Sequence, residues 1–358
     1  MALALGAVFE RTVQVKIAAL APFPFVGFEY GGAERIHNLL TRVEHQLDVF
    51  VPNYGDIQYA QYHNLNLHYV HVPQEMRGDE YDMVISKNSK ELFAEKLADF
   101  EPDLVILEHP WQVDALSGQR FIYDAHNNET AMKQALKKDS MVEETLRVEE
   151  IALTAEHITF CSPDDNLQSD SPMTLIPNGT DIPEINRHHG FGSNVVLFVG
   201  SAHPPNIGAA LTLTTLAKAL PQYHFVIAGN CGNNLRPESD NVTVLGHIDA
   251  KMLDYLMRTA HVFMNPIAAG AGTSLKVARA LSYALPVISS SVGARGYNSA
   301  CIITDTAQAA FDALAELRDP KNYAEAADRS RTAAFDYSWN SVGEKFNEVI
   351  QQVLNDRR

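Results

Sequence analysis

The 358-residue sequence is short of cysteine, of basic side chains and of long apolar runs. Its three cysteines, Cys161, Cys231 and Cys301, are far apart and lack ligand spacing, which excludes a disulfide framework and a cysteine zinc site. With 28 basic and 44 acidic residues, the formal net charge of −16 argues against broad nucleic-acid binding. No apolar run reaches the length of a membrane span, and residues 1–12 do not resemble a signal peptide. We expect a cytoplasmic protein with at most peripheral contact with the inner face of the membrane.

Three site fingerprints are also missing. No glycine-rich stretch has the Gly-x-x-x-x-Gly-Lys-Ser/Thr spacing of a P-loop, and no Gly-x-Gly-x-x-Gly follows a predicted first strand. An NAD-linked oxidoreductase with two Rossmann-like halves is therefore disfavoured. An Asp-x-Asp metal motif is absent as well. The sequence predicts neither a bound cofactor nor a metal site.

Short apolar runs alternate with helical patterns along the chain. Residues 13–20, 103–110 and 120–126 are typical of buried strands, and the alternation indicates parallel strands joined by right-handed crossovers. The pattern stops at a polar, glycine-containing segment and restarts at Asn194. A chain of this length favours two domains. We therefore predict an α/β fold with two Rossmann-like domains facing a cleft, residues 1–185 and residues 186–339.

Residues 265–290 form the most informative stretch. The pattern predicts a strand, a loop containing Gly270 and Gly272, and a helix that opens at Thr273 or Ser274. Unpaired N–H groups and the helix dipole make such a loop an anion site. Lys276 and Arg279 lie on one face near the positive end of this helix, where cations are unfavourable unless an anion lies between them. The sequence favours a phosphate or diphosphate ligand. The alternative is that both cations are solvated side chains of an ordinary βαβ unit.

Two candidate positions lie in the first half. Gly31 and Gly32 precede a predicted helix, where backbone can approach a ligand closely or simply make a tight turn. His109 and His126 both lie at the carboxyl ends of predicted strands, at the edge where α/β sheets bind ligands. Because histidine titrates near neutrality, His126 is the candidate catalytic residue. Its neighbours Asp124, Asn127 and Glu129 support this hypothesis, although residues of this type also cap helices.

The order of segments resembles a GT-B glycosyltransferase, in particular the retaining enzymes of glycosyltransferase family 4 that use nucleotide-sugar donors. The resemblance extends over nearly the whole chain. It is carried by GGAER (31–35), LIPNGTDIP (175–183), VLFVGSAHPPN (196–206), FVIAGN (225–230), VTVLGHID (242–249), GAGTSLKVARALSYALPVISS (270–290) and SWN (338–340).

The resemblance implies roles for individual residues. The glycine pair would lie over the donor diphosphate and the transferred sugar, and His126 would contact the sugar near the reacting carbon. The loop and helix start would hold the phosphates and sugar, and the turn after the Val-x-x-Leu-Gly strand would support the base. In this fold the last helix, within residues 340–358, crosses back to the first domain. The implied donor-binding residues are Gly31, Gly32, Gly246, His247, Ile248, Gly270, Gly272, Thr273 and Ser274.

The sequence also departs from the family pattern. Ala271 and Arg279 stand where the family usually has two glutamates, and arginine cannot accept the hydrogen bonds of the ribose hydroxyls. The usual Arg and Lys after the Val-Gly strand are missing, and His203 and Asn206 lie nearby instead. One hypothesis is that Lys276 and Arg279 supply the displaced positive charge. The other is that this domain has lost ordinary donor binding.

We therefore expect a retaining, metal-independent glycosyltransferase that moves a sugar from a nucleotide diphosphate sugar to an acceptor hydroxyl. The resemblance implies a saccharide or glycolipid acceptor and a setting in polysaccharide or glycoconjugate synthesis. Catalysis would come from positioning and from stabilising the departing diphosphate. The alternative is a non-catalytic GT-B module that acts as a structural or binding partner in a polysaccharide-assembly complex. No nucleic-acid partner is expected.

Overall fold

Two parallel β-sheets form the framework of the protein. The computed structural model describes residues 15–27, 31–53, 60–73, 89–135, 137–185, 189–270 and 272–356. Within these ranges the first sheet has seven strands and the second has six, and every strand pair is parallel. The predicted α/β fold class is confirmed.

The first sheet has the order β3-β2-β1-β4-β5-β6-β7. Its central strands are apolar and buried because helices cover both faces of a parallel sheet. The strands are β1 (Ile17–Leu20), β2 (Leu47–Asn53), β3 (Leu65–His71), β4 (Leu104–Glu108), β5 (Phe121–Ala125), β6 (His157–Phe160) and β7 (Met173–Leu175). Its helices are α1 (Gly31–Leu40), α2 (Ser89–Phe100), α3 (Glu129–Ala135) and α4 (Asp139–Ala152).

The second sheet has the order β10-β9-β8-β11-β12-β13. It consists of β8 (Val195–Val199), β9 (His224–Ala228), β10 (Val242–Gly246), β11 (Val262–Asn265), β12 (Val287–Ser289) and β13 (Ile302–Ile303). The helices are α5 (Pro204–Ala219), α6 (Ala250–Thr259), α7 (Leu275–Ser282), α8 (Ala307–Glu316), α9 (Pro320–Asp336) and α10 (Trp339–Asn355). The pattern predicts two helices after the last strand, whereas the structure has three, because residues 307–336 divide at Asp319, which caps α9.

The last helix, α10, packs into the hydrophobic core of the first domain. Trp339, Val342, Phe346 and Ile350 are buried beside the strands and helix of the first sheet. Just before α10 the backbone pairs with the segment after β7: Thr180 N–H donates to Tyr337 O at 2.8 Å, and Trp339 N–H donates to Thr180 O at 3.1 Å. The domain boundary at residue 185/186 stays a prediction, since residues 186–188 lie outside the described ranges.

The topology places the two switch points of the sheets in comparable positions. In each sheet the strand order reverses next to the first strand, between β1 and β4 and between β8 and β11. Ligands of open α/β sheets bind at such points, beyond the carboxyl ends of the strands. The starts of α1 and α7 follow β1 and β11, so both helices begin at this edge. Within the described residues, no helix is both long enough and apolar enough to cross a membrane.

Gly179 allows the close approach of α10. A Cβ atom at this position would lie 2.5 Å from Trp339 Cε3 and 3.1 Å from Trp339 Cα. We expect Gly179→Ala to lower the free energy of unfolding by about 1–3 kcal/mol, because a buried tryptophan and its backbone must shift. The matched control is Gly208→Ala in α5, where the added Cβ meets no atom within 4 Å. That change should be neutral or stabilise by up to about 1 kcal/mol. Urea unfolding midpoints measure both, and equal midpoints would contradict the packing argument.

Candidate functional site

Two helix N-termini, one from each domain, meet at the cleft. A Cβ on Gly31, the first residue of α1, would lie 3.4 Å from Leu275 Cδ1, the first residue of α7. One turn further along, Arg279 donates to Glu34 Oε1 at 2.7 Å, which joins α7 to α1. Because each helix start carries partial positive charge, the facing ends favour an anion or anionic side chain between them.

The glycine loop of the second domain contacts the first domain directly. Gly272 has a φ of +62°, and a Cβ there would lie 2.7 Å from His126 O and 3.1 Å from Asn127 Oδ1. The Gly272 N–H donates to Asp165 Oδ1 at 2.8 Å. Only glycine combines this backbone conformation with this approach. A carboxylate of the first domain thus accepts the hydrogen bond of this loop amide.

A second contact holds the start of α7. Asn178 N–H donates to Thr273 Oγ1 at 3.1 Å, and Asn178 Nδ2 donates to Thr273 O at 3.2 Å. Tyr297 Oη in turn donates to Asn178 O at 2.8 Å. Ser274 occupies the N-cap position, yet its side chain does not cap the helix, and its Oγ is buried without a hydrogen-bond partner. This hydroxyl is therefore an unused donor at the helix start.

Lys276 lies inside the second domain at this edge. Its Nζ donates to Asn206 Oδ1 and lies 5.2 Å from the centre of the Phe198 ring. Burial lowers the pKa of Lys276 to about 8. His203, at the N-cap of α5, also has a lowered pKa, first because of burial and then because of Lys276. Both predicted residues, His203 and Asn206, thus border Lys276.

Arg279 differs from the sequence expectation in its surroundings. The pattern groups it with Lys276 as a charge for an anionic ligand, whereas the structure pairs its guanidinium with Glu34 of the first domain. Both side chains of this pair remain partly exposed, at 36% and 26%. Arg279 therefore connects the two domains in this arrangement.

Arg35 organises the first-domain side of the site. Its guanidinium donates to both oxygens of Asp124, at 2.8 and 2.7 Å, and to Ile176 O and Asn178 Oδ1. Both residues are buried, with 1% and 0% exposure of their side chains. Burial alone would raise the pKa of Asp124, but Arg35 holds it well below its usual range. The pair is therefore ionised and fixes α1 against β5.

His126 belongs to the same buried network. Its Nε2 lies 2.8 Å from Glu108 Oε2 and 3.3 Å from Asp124 Oδ2. Burial, followed by the charge of Asp124, raises the pKa of Glu108 well above its ordinary value. Burial also lowers the pKa of His126, so its neutral form is favoured. The Nε2 atom of His126 is engaged by carboxyl groups, while its backbone oxygen meets Gly272.

Glu108, Asp124 and His126 place three possible metal-ligand atoms within 4.8 Å of one another. The bidentate Arg35 guanidinium already supplies the positive charge that balances Asp124. A divalent cation would be repelled by that guanidinium, and Glu108 would first have to lose its proton. The donor set therefore fits a hydrogen-bonded network better than a metal site.

A second histidine beside this network has a ring nitrogen without a hydrogen-bond partner. The ring of His109 lies beside that of His126, with ring centres 3.8 Å apart and an angle of 35° between the ring planes, and its Nδ1–H donates to Glu129 Oε1 at 3.0 Å. His109 Nε2 is buried without a partner, and a Cβ on Gly32 would lie 3.7 Å from it. His109 also has a φ of +65°, which is strained for a non-glycine residue. Its lone pair faces the start of α1.

The remaining predicted residues lie apart from the loop. Gly246, with a φ of +63°, ends β10, and His247 and Ile248 follow it. Strand β10 is at the edge of the sheet, three strand spacings from β11, a distance of about 14 Å. His247 is exposed, and Ile248 packs partly against the second core.

The structure thus groups most predicted residues at one edge. The first-domain members Gly31, Gly32 and His126 meet the loop members Gly272, Thr273 and Ser274, while Ala271 lies outside the described residues. Sequence reasoning missed Asp165, Asn178 and Arg295. A Cβ on Gly270 would lie 3.2 Å from an Arg295 Nη atom. The Gly-Ala-Arg-Gly turn after β12 could have indicated Arg295 as a site residue. The sequence around Asp165 indicates only a turn.

Residues 193–329 match the family model of Glycosyl transferases group 1. This range covers the second sheet and most of its helices, including the loop and α7. A search of curated protein sequences gave no significant match.

Solved structures with the same architecture align over most of the chain. Sucrose-phosphate synthase from Thermosynechococcus elongatus has a TM-score of 0.78 at 15% identity, covering 96% of this chain and 100% of that one. Anabaena HepE in complex with UDP and glucose has a TM-score of 0.67 at 14% identity, with 94% and 99% coverage. An α,α-trehalose-phosphate synthase (UDP-forming) from Burkholderia vietnamiensis has a TM-score of 0.69 at 10% identity, with 94% and 100% coverage.

The fold is therefore that of the GT-B glycosyltransferases, with two Rossmann-like domains. The second domain is similar in sequence to the group 1 glycosyl transferases. The predicted resemblance to GT-B glycosyltransferases is confirmed for the fold, and the match of residues 193–329 confirms it for the sequence of the second domain.

The buried ion pair makes a sharp prediction. We expect Arg35→Met to lower the free energy of unfolding by about 3–5 kcal/mol, because Asp124 would stay buried without its partner. The matched control is Arg147→Met, which removes a partly exposed arginine paired with Asp114 and Glu144. That change should cost about 1 kcal/mol or less. Urea unfolding followed by tryptophan fluorescence compares the two, and similar losses would contradict the role given to Arg35.

Proposed function

We propose that the protein is a retaining glycosyltransferase that transfers a sugar from a nucleotide diphosphate sugar to an acceptor hydroxyl. The observation that carries this proposal is the meeting of two helix N-termini and a glycine loop at the carboxyl edges of both sheets. Such a place stabilises the negative charge that develops on a departing diphosphate. The family match of residues 193–329 supports the same reaction class.

The donor would extend along the second sheet. Its diphosphate would lie at Gly270, Gly272 and the start of α7, and its base would lie at the turn after β10. Arg295 places an Nη atom beside Gly270, and Lys276 lies in the first turn of α7, while Arg279 is paired with Glu34. Neutralisation of the leaving group then requires only backbone N–H groups and side-chain cations. HepE, which shares this fold, has been solved with UDP and with UDP-glucose, which supports a uridine nucleotide as the first donor to test.

The first domain would orient the transferred sugar and the acceptor. In the proposed arrangement, Gly31 and Gly32 leave room over the sugar, and the His126 backbone closes the site beside Gly272. His109 presents a lone pair that can accept a hydrogen bond from a sugar hydroxyl, because Glu129 keeps the proton on its Nδ1. The leaving phosphate would accept the proton of the incoming hydroxyl, so no carboxylate nucleophile is needed. A saccharide or glycolipid acceptor, and a role in cell-surface polysaccharide or glycoconjugate synthesis, remain part of the proposal.

One observation favours a second candidate, a non-catalytic GT-B module. Three charged side chains at the cleft already have partners within the chain: Arg279 is paired with Glu34, and Asp165 accepts from the Gly272 amide. A module whose cleft is closed by its own side chains would serve as a structural partner in a larger assembly. Binding of nucleotide sugars separates the two candidates.

The binding test uses calorimetric titration with UDP-, GDP-, dTDP- and ADP-glucose. We expect one nucleotide sugar to bind and Lys276→Met to weaken that binding about tenfold or more, because a charged hydrogen bond contributes about 1.5–3 kcal/mol. Arg279→Gln is the matched control on the same helix. Because Arg279 is already paired with Glu34, the control should change the affinity for the nucleotide sugar less than about fivefold. If folded protein binds none of the four, the transferase proposal fails and the structural module is favoured.

Donor binding should also take up a proton. Lys276 has a pKa of about 8 because burial disfavours its charged form, and a bound diphosphate would favour the ammonium again. At pH 8 we expect an uptake of about half a proton per ligand, since a group at its pKa is half protonated. Titrations in HEPES and Tris, which differ in ionisation enthalpy, measure the uptake. It should disappear in Lys276→Met, and an unchanged buffer dependence there would exclude Lys276 as its source.

A further inference from the structure

Only one oxygen of the Asp165 carboxylate accepts a hydrogen bond from the Gly272 amide. Asp165 lies in the turn at residues 163–165 and is 6% exposed. Its Oδ1 accepts from Gly272 N–H at 2.8 Å, while its Oδ2 is buried without a hydrogen-bond partner. A buried carboxylate oxygen without a partner is costly. The contact therefore satisfies the hydrogen-bond donor of the loop but leaves one acceptor oxygen of Asp165 unsatisfied.

Two hydrogen-bond donors beside the same loop are left without an acceptor. Ser274 Oγ at the start of α7 and Arg295 Nε are both buried and unpaired. Arg295 also places an Nη atom against Gly270. Orphaned donors at an anion-binding loop call for a ligand that has more acceptor oxygens than one carboxylate. A phosphate group has that geometry, with several oxygens directed outward from one centre.

The charges around Asp165 oppose one another. The Gly272 amide and Arg295 favour its anionic form, whereas Asp164 in the same turn and Glu129 at the start of α3 disfavour it. Burial is the largest influence, and together these effects raise the pKa of Asp165 to about 6. Near neutral pH the carboxylate is thus ionised but weakly held. An anion that also satisfied Ser274 and Arg295 would have an advantage at this place.

We propose that Asp165 is an internal stand-in for a donor phosphate, bound at the Gly272 loop until a diphosphate displaces it. This inference rests on the proposed function, because it concerns the same donor site. It makes Asp165 a residue that sets donor affinity through competition. The displaced side chain would leave the Gly272 amide, and the phosphate oxygens would take the donors of Gly272, Ser274 and Arg295.

Inorganic pyrophosphate is the probe of choice, because it carries the shared chemistry of all nucleotide diphosphates. The variant is Asp165→Asn, which keeps the shape of the side chain and removes its charge. The matched control is Asp164→Asn, which removes the same charge from the exposed neighbour in the same turn. Calorimetric dissociation constants are measured at pH 7.5 and pH 5.5, with the thermal midpoint of each protein as a check of folding.

At pH 7.5 we expect Asp165→Asn to bind pyrophosphate at least tenfold more tightly than Asp164→Asn. At pH 5.5 the difference should shrink to about threefold or less, because protonation then removes much of the Asp165 charge from the control too, although the loss of Asp164 lowers the Asp165 pKa somewhat. Using Asp164→Asn as the reference cancels the ionisation of pyrophosphate itself, which is the same for both proteins.

Three results would overturn the inference. Equal affinities at pH 7.5 would show that Asp165 does not compete with the ligand, and weaker binding by Asp165→Asn would show that it supports the ligand. Absence of pyrophosphate binding in folded Asp165→Asn would show that no phosphate takes its place. Each of these outcomes leaves the transferase proposal to the nucleotide-sugar titrations, which do not depend on Asp165.

Discussion

The ion pair between Arg35 and Asp124 is the interaction on which the rest of the cleft depends. A fully buried guanidinium is tolerable only when its donors are satisfied, and here they reach from α1 to both strand β5 and the segment after β7. Through Asn178 the same guanidinium is connected to Thr273 at the start of α7. One charge in the first domain thereby fixes the position of a loop in the second.

The alternating sequence pattern predicted both sheets because parallel strands, buried on both faces, need uninterrupted apolar residues. The loop before α7 was also predictable, since Gly272 reads locally as a break between a strand and a helix. The pairing of Arg279 was not, because Glu34 lies 245 residues away and no local rule identifies its partner. The orientation of Asp165 was equally hidden, because a turn motif shows where the chain bends and not which side chain faces a neighbouring domain.

The two histidines illustrate the same limit at shorter range. Position after a strand selects both His109 and His126, yet only the structure shows that carboxyl groups engage Nε2 of one and leave Nε2 of the other unpaired. The two residues also differ in their backbone: His109 has a positive φ, and its ring centre lies 3.8 Å from that of His126. A sequence pattern predicts where strands end, but it does not predict that the residue at one of those ends has a left-handed backbone conformation.

The backbone pairing of Thr180 with Tyr337 and Trp339 has a mechanical consequence. The chain passes between the domains twice, once after β7 and once before α10, and these two passages lie side by side and are hydrogen-bonded. Two adjacent connections act as a hinge with one axis, whereas a single connection would also permit twisting and separation. Opening of the cleft is then a rotation about that axis. The C-terminal end of α7 lies beside the axis, because Thr180 Oγ1 donates to Ser282 Oγ at 3.4 Å, so the nearby Arg279–Glu34 pair would travel only a short distance.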